Sequence, residues 1–152
     1  MSYVYTIRSR TLNIACEAPS QRYGPCTSPK AAVPVLRAIF AELDDYQENF
    51  ILVVLNQKGR VIGHKVLSSG TETACLVSPE MVFRAALILG GTSILVSHNH
   101  PSGDPTPSRE DIFLTKRLRS AGDLLGLPLA DHIILGSPEF YSFRASEGWD
   151  LN

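Results

Sequence analysis

The chain has 152 residues, 44% of them hydrophobic and 19% charged, which suits one globular domain with its own core and excludes a disordered segment. Fourteen basic residues against fifteen acidic ones leave a formal net charge of −1, so the chain as a whole has no electrostatic pull on phosphate backbones and charge gives no reason to expect a nucleic acid partner. Met1 to Arg10 has no apolar signal core and no run approaches the roughly 18 apolar residues of a membrane helix, so no membrane association and a cytoplasmic location are expected.

Residues 1–28 read as an appendage, in which Tyr3, Tyr5 and Ile7 alternate with Val4, Thr6 and Arg8 in the manner of an edge strand. A Pro/Ser/Gly-rich stretch from Ala18 to Pro29 then marks a soft boundary, and residues 29–152 read as the domain proper. Ser28 and Pro29 suit N-cap and N1 of a helix with Ala32, Leu36, Ile39, Phe40 and Leu43 on one stripe; Pro34 should kink it or move its start to about residue 33. Phe50 to Asn56 has strand length and composition, Gln57-Lys58-Gly59 turn chemistry, and Arg60 to Ser68 the pattern of a second strand, which together predict a hairpin.

Ser78-Pro79 again reads as N-cap and N1, opening a short helix through Met81, Ala85 and Leu89 that Gly90 and Gly91 close. Ser93 to Ser97 reads as a buried strand that delivers the chain into a Pro- and Gly-rich loop, His98 to Pro107. Ser108 caps the next helix, whose stripe is Asp111, Leu114, Leu118, Ala121 and Leu125, with Gly126 and Pro128 past its end. Two short strands follow, His132 to Leu135 and Phe140 to Phe143. The order of elements predicts an α/β domain, a mixed β-sheet with helices packed on it.

The chemistry gathers where the third strand ends. Positions i and i+2 of an extended chain point to one side, so His98 and His100 present two imidazoles to one point. Asp111 sits in the first turn of the helix yet heads its apolar stripe, where a carboxylate needs a hydrogen bond, an ion pair or a metal. Ser108-x-x-Asp111 also fits a capping box, and capping and metal binding are compatible at this position. Two histidines and one aspartate leave a fourth tetrahedral position for water, the catalytic arrangement for zinc, although imidazole and carboxylate suit other divalent ions as well. Cys16, Cys26 and Cys75 form no C-x-x-C pair and read as reduced, partly buried thiols. His132 reads as a satisfied histidine at a strand start, with support of the site as the alternative, and His64 as a structural or surface residue.

His-x-His, seven residues, then Ser-x-x-Asp resembles the JAMM signature of the MPN/JAB metalloproteases, and the string HNHPSGDPTPSREDI, with Thr115 and Asp131-His132-Ile133-Ile134, more narrowly resembles the RadC family of JAB-domain proteins. That resemblance implies a fold like that of the cytidine deaminases and one zinc ion per chain on His98, His100 and Asp111. It also implies Glu48 as general acid/base in Glu48-Asn49-Phe50, Ser108 beside the oxyanion, and a protein or peptide substrate cleaved at a peptide or isopeptide bond. From the residues alone Glu48 is one of several acidic candidates, beside Glu42, Asp44, Asp45, Glu72 and Glu80. Deaminase chemistry is disfavoured, because neither H-x-E nor P-C-x-x-C occurs. The family name carries DNA repair with it, so the alternative expectation is a non-catalytic, metal-stabilised module in DNA processing or protein assembly. About 28 residues precede the domain here, where longer members of the family have a helix-hairpin-helix type region.

Overall fold

The computed structural model describes residues 23–71, 73–146 and 149; the edge strand expected around Tyr3, Tyr5 and Ile7 lies outside them. Its centre is a five-stranded sheet of β1 (Glu48–Leu55), β2 (Val61–Gly70), β3 (Ser93–Asn99), β4 (Leu129–Leu135) and β5 (Phe140–Ser142) in the order β2-β1-β3-β4-β5. β1 pairs antiparallel with β2 and β3, β3 parallel with β4, and β4 antiparallel with β5. The expected hairpin and the mixed sheet are both present.

β1 is buried along almost its whole length, because helices cover both faces of the sheet and each face takes alternate residues of the strand. Phe50, Leu52 and Val54 join Ile94 and Val96 of β3 in one cluster, with Val82, Phe83 and Ala86 of α3 (Pro79–Leu89) and Leu114 and Leu118 of α4 (Arg109–Leu125). Ile51, Val53 and Leu55 face the other way, onto Ala32, Val35, Leu36 and Ile39 of α1 (Pro29–Phe40). α2 (Thr73–Leu76), a single turn that the sequence pattern does not announce, fills the connection after β2.

Caps set the helix boundaries. Ser28, Ser78 and Ser108 accept the amides of Ala31, Met81 and Asp111, and Gly90 and Gly126 close α3 and α4 in the left-handed region at φ 70° and 67°, where glycine carries no Cβ penalty. α1 starts at Pro29, not near residue 33, and runs through the exposed Pro34. The buried face of α3 is Val82, Phe83 and Ala86, with Met81 38% exposed. Leu125 at the end of α4 is 48% exposed, and Leu127, two residues on, occupies the core in its place. Among the described residues no helix is long and apolar enough to cross a membrane.

Candidate metal centre

His98 lies on the α3/α4 side of β3, completely buried, with its ring stacked on Phe50 at 5.5 Å between centroids and 11° between planes. His100 follows the strand end, held there by its backbone N–H on the Leu135 carbonyl at 2.9 Å. Its Nδ1 lies 2.7 Å from the Asp104 carbonyl. A carbonyl only accepts, so Nδ1 carries the proton and the neutral ring leaves Nε2 as a lone pair. Nε2 of His100 and Nε2 of His98 are 3.0 Å apart.

The loop that carries Asp104 is fixed by backbone contacts. Gly103, at φ +86°, donates to the His100 carbonyl and accepts from the Ser137 amide at 3.0 Å. Gly136 packs so closely against it that a Cβ there would lie 2.3 Å from the Gly103 carbonyl oxygen.

Asp111 enters from the first turn of α4, 2% exposed. The capping box is complete: Asp111 N donates to Ser108 Oγ at 3.1 Å, and Ser108 N donates to Asp111 Oδ2 at 2.8 Å. The same carboxylate places Oδ1 3.2 Å from His98 Nε2 and Oδ2 3.7 Å from His100 Nε2. Capping and convergence on the imidazoles therefore coexist. Burial alone would raise the Asp111 carboxyl, but the two imidazoles beside it and the Ser108 amide outweigh burial and hold the group well below the usual carboxylate range. The Asp111 contact pushes His100 up against the opposing effect of burial.

One donor atom each from His98, His100 and Asp111 lie within 4.8 Å of one another. The two imidazole nitrogens are 3.0 Å apart, and the carboxylate approaches one through Oδ1 at 3.2 Å and the other through Oδ2 at 3.7 Å. That is the scale of the edge of about 3.3 Å that a tetrahedron with ligand bonds of ~2.05 Å requires. Two imidazole nitrogens and an ionised carboxylate, gathered without lysine or arginine among them, fit a divalent cation. These three side chains could hold one ion.

Glu48, half-buried at the start of β1, shares the parity of Phe50 and so the face of the sheet that carries His98. β1 and β3 pair Phe50 with His98, and the same register continued by two residues brings Glu48 opposite His100. A cleft of roughly 300 Å³ is lined by Glu48, Thr71, Ala74, His100, Ser108, Glu110 and Asp111. The strand end around Glu48 is held by Asn99, whose Oδ1 accepts from Asn49 N at 2.7 Å and whose Nδ2 donates to the Gln47 carbonyl at 2.9 Å. Sequence reasoning passed over Asn99; its position between two strand-end histidines was the available signal.

His132 was expected mainly as a satisfied histidine, and it has a closer relation to the site. Its Nε2 lies 3.0 Å from His98 Nδ1 and its Nδ1 2.6 Å from Thr115 Oγ1. Complete burial, reinforced by His98, lowers its pKa well below the ordinary histidine value, so it is neutral at physiological pH. His64 is exposed on β2, edge-on to Tyr23. Cys26 is half-buried and burial pushes its thiol up.

A mixed sheet between helical layers, with a two-histidine, one-aspartate cluster that could hold a metal at the end of a central strand, defines an α/β domain consistent with the JAB/MPN fold. The family model described as the RadC-like JAB domain matches residues 26–149, and the chain belongs to that family. It is 42% identical over 130 residues to a UPF0758 protein of Symbiobacterium thermophilum, covering 86% of this chain and 54% of the relative. It is 44% identical over 99 residues to a UPF0758 protein of Desulforamulus reducens, covering 65% and 44%. A third such protein, from Caldanaerobacter subterraneus, is 40% identical over 125 residues, covering 82% and 53%. The chain thus spans about half the length of the curated relatives it matches.

Proposed function

We propose that the protein is a zinc-dependent hydrolase of a peptide or isopeptide bond in a protein or peptide substrate. The observation that carries this reading is the shared cleft: Glu48 and Ser108 line the same roughly 300 Å³ space as His100 and Asp111. A zinc ion on His98, His100 and Asp111 would supply Lewis-acid polarisation of the scissile carbonyl and a water acidified to a pKa of about 7.

The chain's own residues do the rest. Glu48 takes a proton from the attacking water and returns it to the departing nitrogen, so a C–O bond replaces the C–N bond and the products are a carboxylate and an amine. Ser108 Oγ uses a lone pair to accept the Asp111 amide, which leaves its O–H proton to donate to the oxyanion that develops on the carbonyl. Phe50 and the core behind His98 keep one imidazole rigid, while the Asp104 carbonyl orients the other.

The test compares zinc-loaded wild type with Glu48→Gln on peptide and isopeptide substrates. A loss of about 10²- to 10⁴-fold in kcat with zinc content unchanged is expected; equal rates would remove Glu48 from its role. A second reading has an observation of its own, because His100 and Asp111 stand at the two ends of loop 101–107 and an ion joining them fastens that loop. A module of that kind binds zinc, turns nothing over, and shows reduced thermal stability as the main effect of His100→Ala.

A further inference from the structure

We propose that Thr115 and His132 are positioning residues that fix the tautomer of His98, keeping its proton on Nδ1 so that Nε2 faces the metal site as a lone pair. The inference rests on the metal-site reading and is independent of what the site hydrolyses.

The direction of the hydrogen bonds follows from one atom that has no proton to give. The Asp111 carbonyl only accepts, and Thr115 Oγ1 lies 2.6 Å from it, one helical turn further along α4. The single hydroxyl proton of Thr115 is therefore committed there. Thr115 Oγ1 is also 2.6 Å from His132 Nδ1. With its proton committed, the oxygen can only accept, so His132 donates from Nδ1. A neutral imidazole has one N–H, which leaves His132 Nε2 bare. The 3.0 Å contact from that atom to His98 Nδ1 then requires the proton of His98 to sit on Nδ1, and His98 Nε2 is left open toward His100 and Asp111.

Packing supports this arrangement. Thr115, His98 and His132 are each 0% exposed. His132 is stacked on Phe143 at 4.9 Å and 16° and meets Phe50 edge-on at 5.5 Å, so its ring cannot turn to exchange its nitrogens. A second proton on His132 would reverse the last link, but it would bury a cation between two phenyl rings. The backbone of Asp111 anchors this chain of bonds while its side chain supplies the carboxylate, so the first turn of α4 sets both the charge of the site and the proton position of its deepest imidazole.

Two measurements on the full chain test this. Long-range ¹H–¹⁵N spectra of histidine-labelled protein, freed of metal by chelator at about pH 8, should show His98 protonated at Nδ1 and bare at Nε2. Competition with a chelator for zinc should then show Thr115→Val, which keeps the shape and loses the acceptor, binding about 10- to 100-fold more weakly. Thr115→Ser should bind as wild type does, which a purely volumetric role for the threonine would not predict. Wild-type His98 protonated at Nε2 would overturn the proposal, as would Thr115→Val with unchanged zinc affinity and an unchanged His98 tautomer. Wild type that binds no zinc but carries the Nδ1 proton would overturn the metal-site reading and leave the hydrogen-bond relay standing.

Discussion

His98 and His100 face the same carboxylate, but the regions that hold them differ in kind. His98 is part of the interior: Phe50 of β1 stacks on it, and His132 of β4 and Thr115 of α4 continue its hydrogen bonding inward. His100 is on the rim, with 17% of its side chain exposed, and is oriented by the backbone carbonyl of Asp104 in a loop whose turn is tied to Ser137. The inner histidine is held by side chains from three elements of the fold, and the outer one by loop backbone. Changes to the inner region should therefore cost folding and metal together, whereas changes to the outer region should cost metal with little effect on folding.

The largest expected contrast is between His98→Ala and His100→Ala. Both should lose zinc. In denaturant titrations of the metal-free proteins, His98→Ala should fall by about 2–4 kcal/mol, because it opens a cavity beside Phe50 and leaves the buried Nε2 of His132 without its partner. His100→Ala should fall by less than ~1 kcal/mol. Equal losses would erase the distinction between the two regions.

Gly136→Ala sharpens it from the outer side. A Cβ 2.3 Å from the Gly103 carbonyl oxygen and 2.8 Å from Pro105 Cδ must displace the loop, at about 1–3 kcal/mol, and weaken zinc through His100. The His98 tautomer should be unchanged, and a change in it would show that the two regions are mechanically coupled.

A smaller effect is expected with pH. Zinc needs a bare Nε2 on His100, whose pKa is raised by Asp111. As pH falls through that raised value, protons compete and zinc affinity should drop by up to about tenfold per pH unit. In the metal-free protein the sign reverses. Protonated His100 beside Asp111 stabilises fully below the unfolded histidine value of about 6.5, and that contribution is lost as pH rises through the folded value. Zinc titrations between about pH 5 and 8 that show constant affinity would contradict the assignment.

Much of this was legible in the residue order. Serines before Pro29, Pro79 and Arg109, and glycines at 90 and 126, mark real helix ends, since capping is a local interaction that neighbouring residues decide. The His-x-His spacing and the inward position of Asp111 gave the cluster. The face of α3 was legible only in part: Ala85 and Leu89 do pack against the core, but Val82, Phe83, Ala86, Leu87 and Ile88 make the helix apolar nearly all round, and tertiary packing chose Val82, Phe83 and Ala86 for full burial. Leu125 continued the stripe of α4, but the chain turns at Gly126 and Leu127 takes the core position. Thr115 and His132 meet across 17 residues of sequence, a contact that no periodicity encodes.

The central claim is that His98, His100 and Asp111 bind one divalent ion together, and elemental analysis of dialysed protein tests it most directly. Wild type should hold one zinc per chain. Asp111→Asn, which keeps an oxygen for the Ser108 amide and so preserves the helix cap, should hold none. A full equivalent of zinc in Asp111→Asn, or none in wild type, would contradict the account.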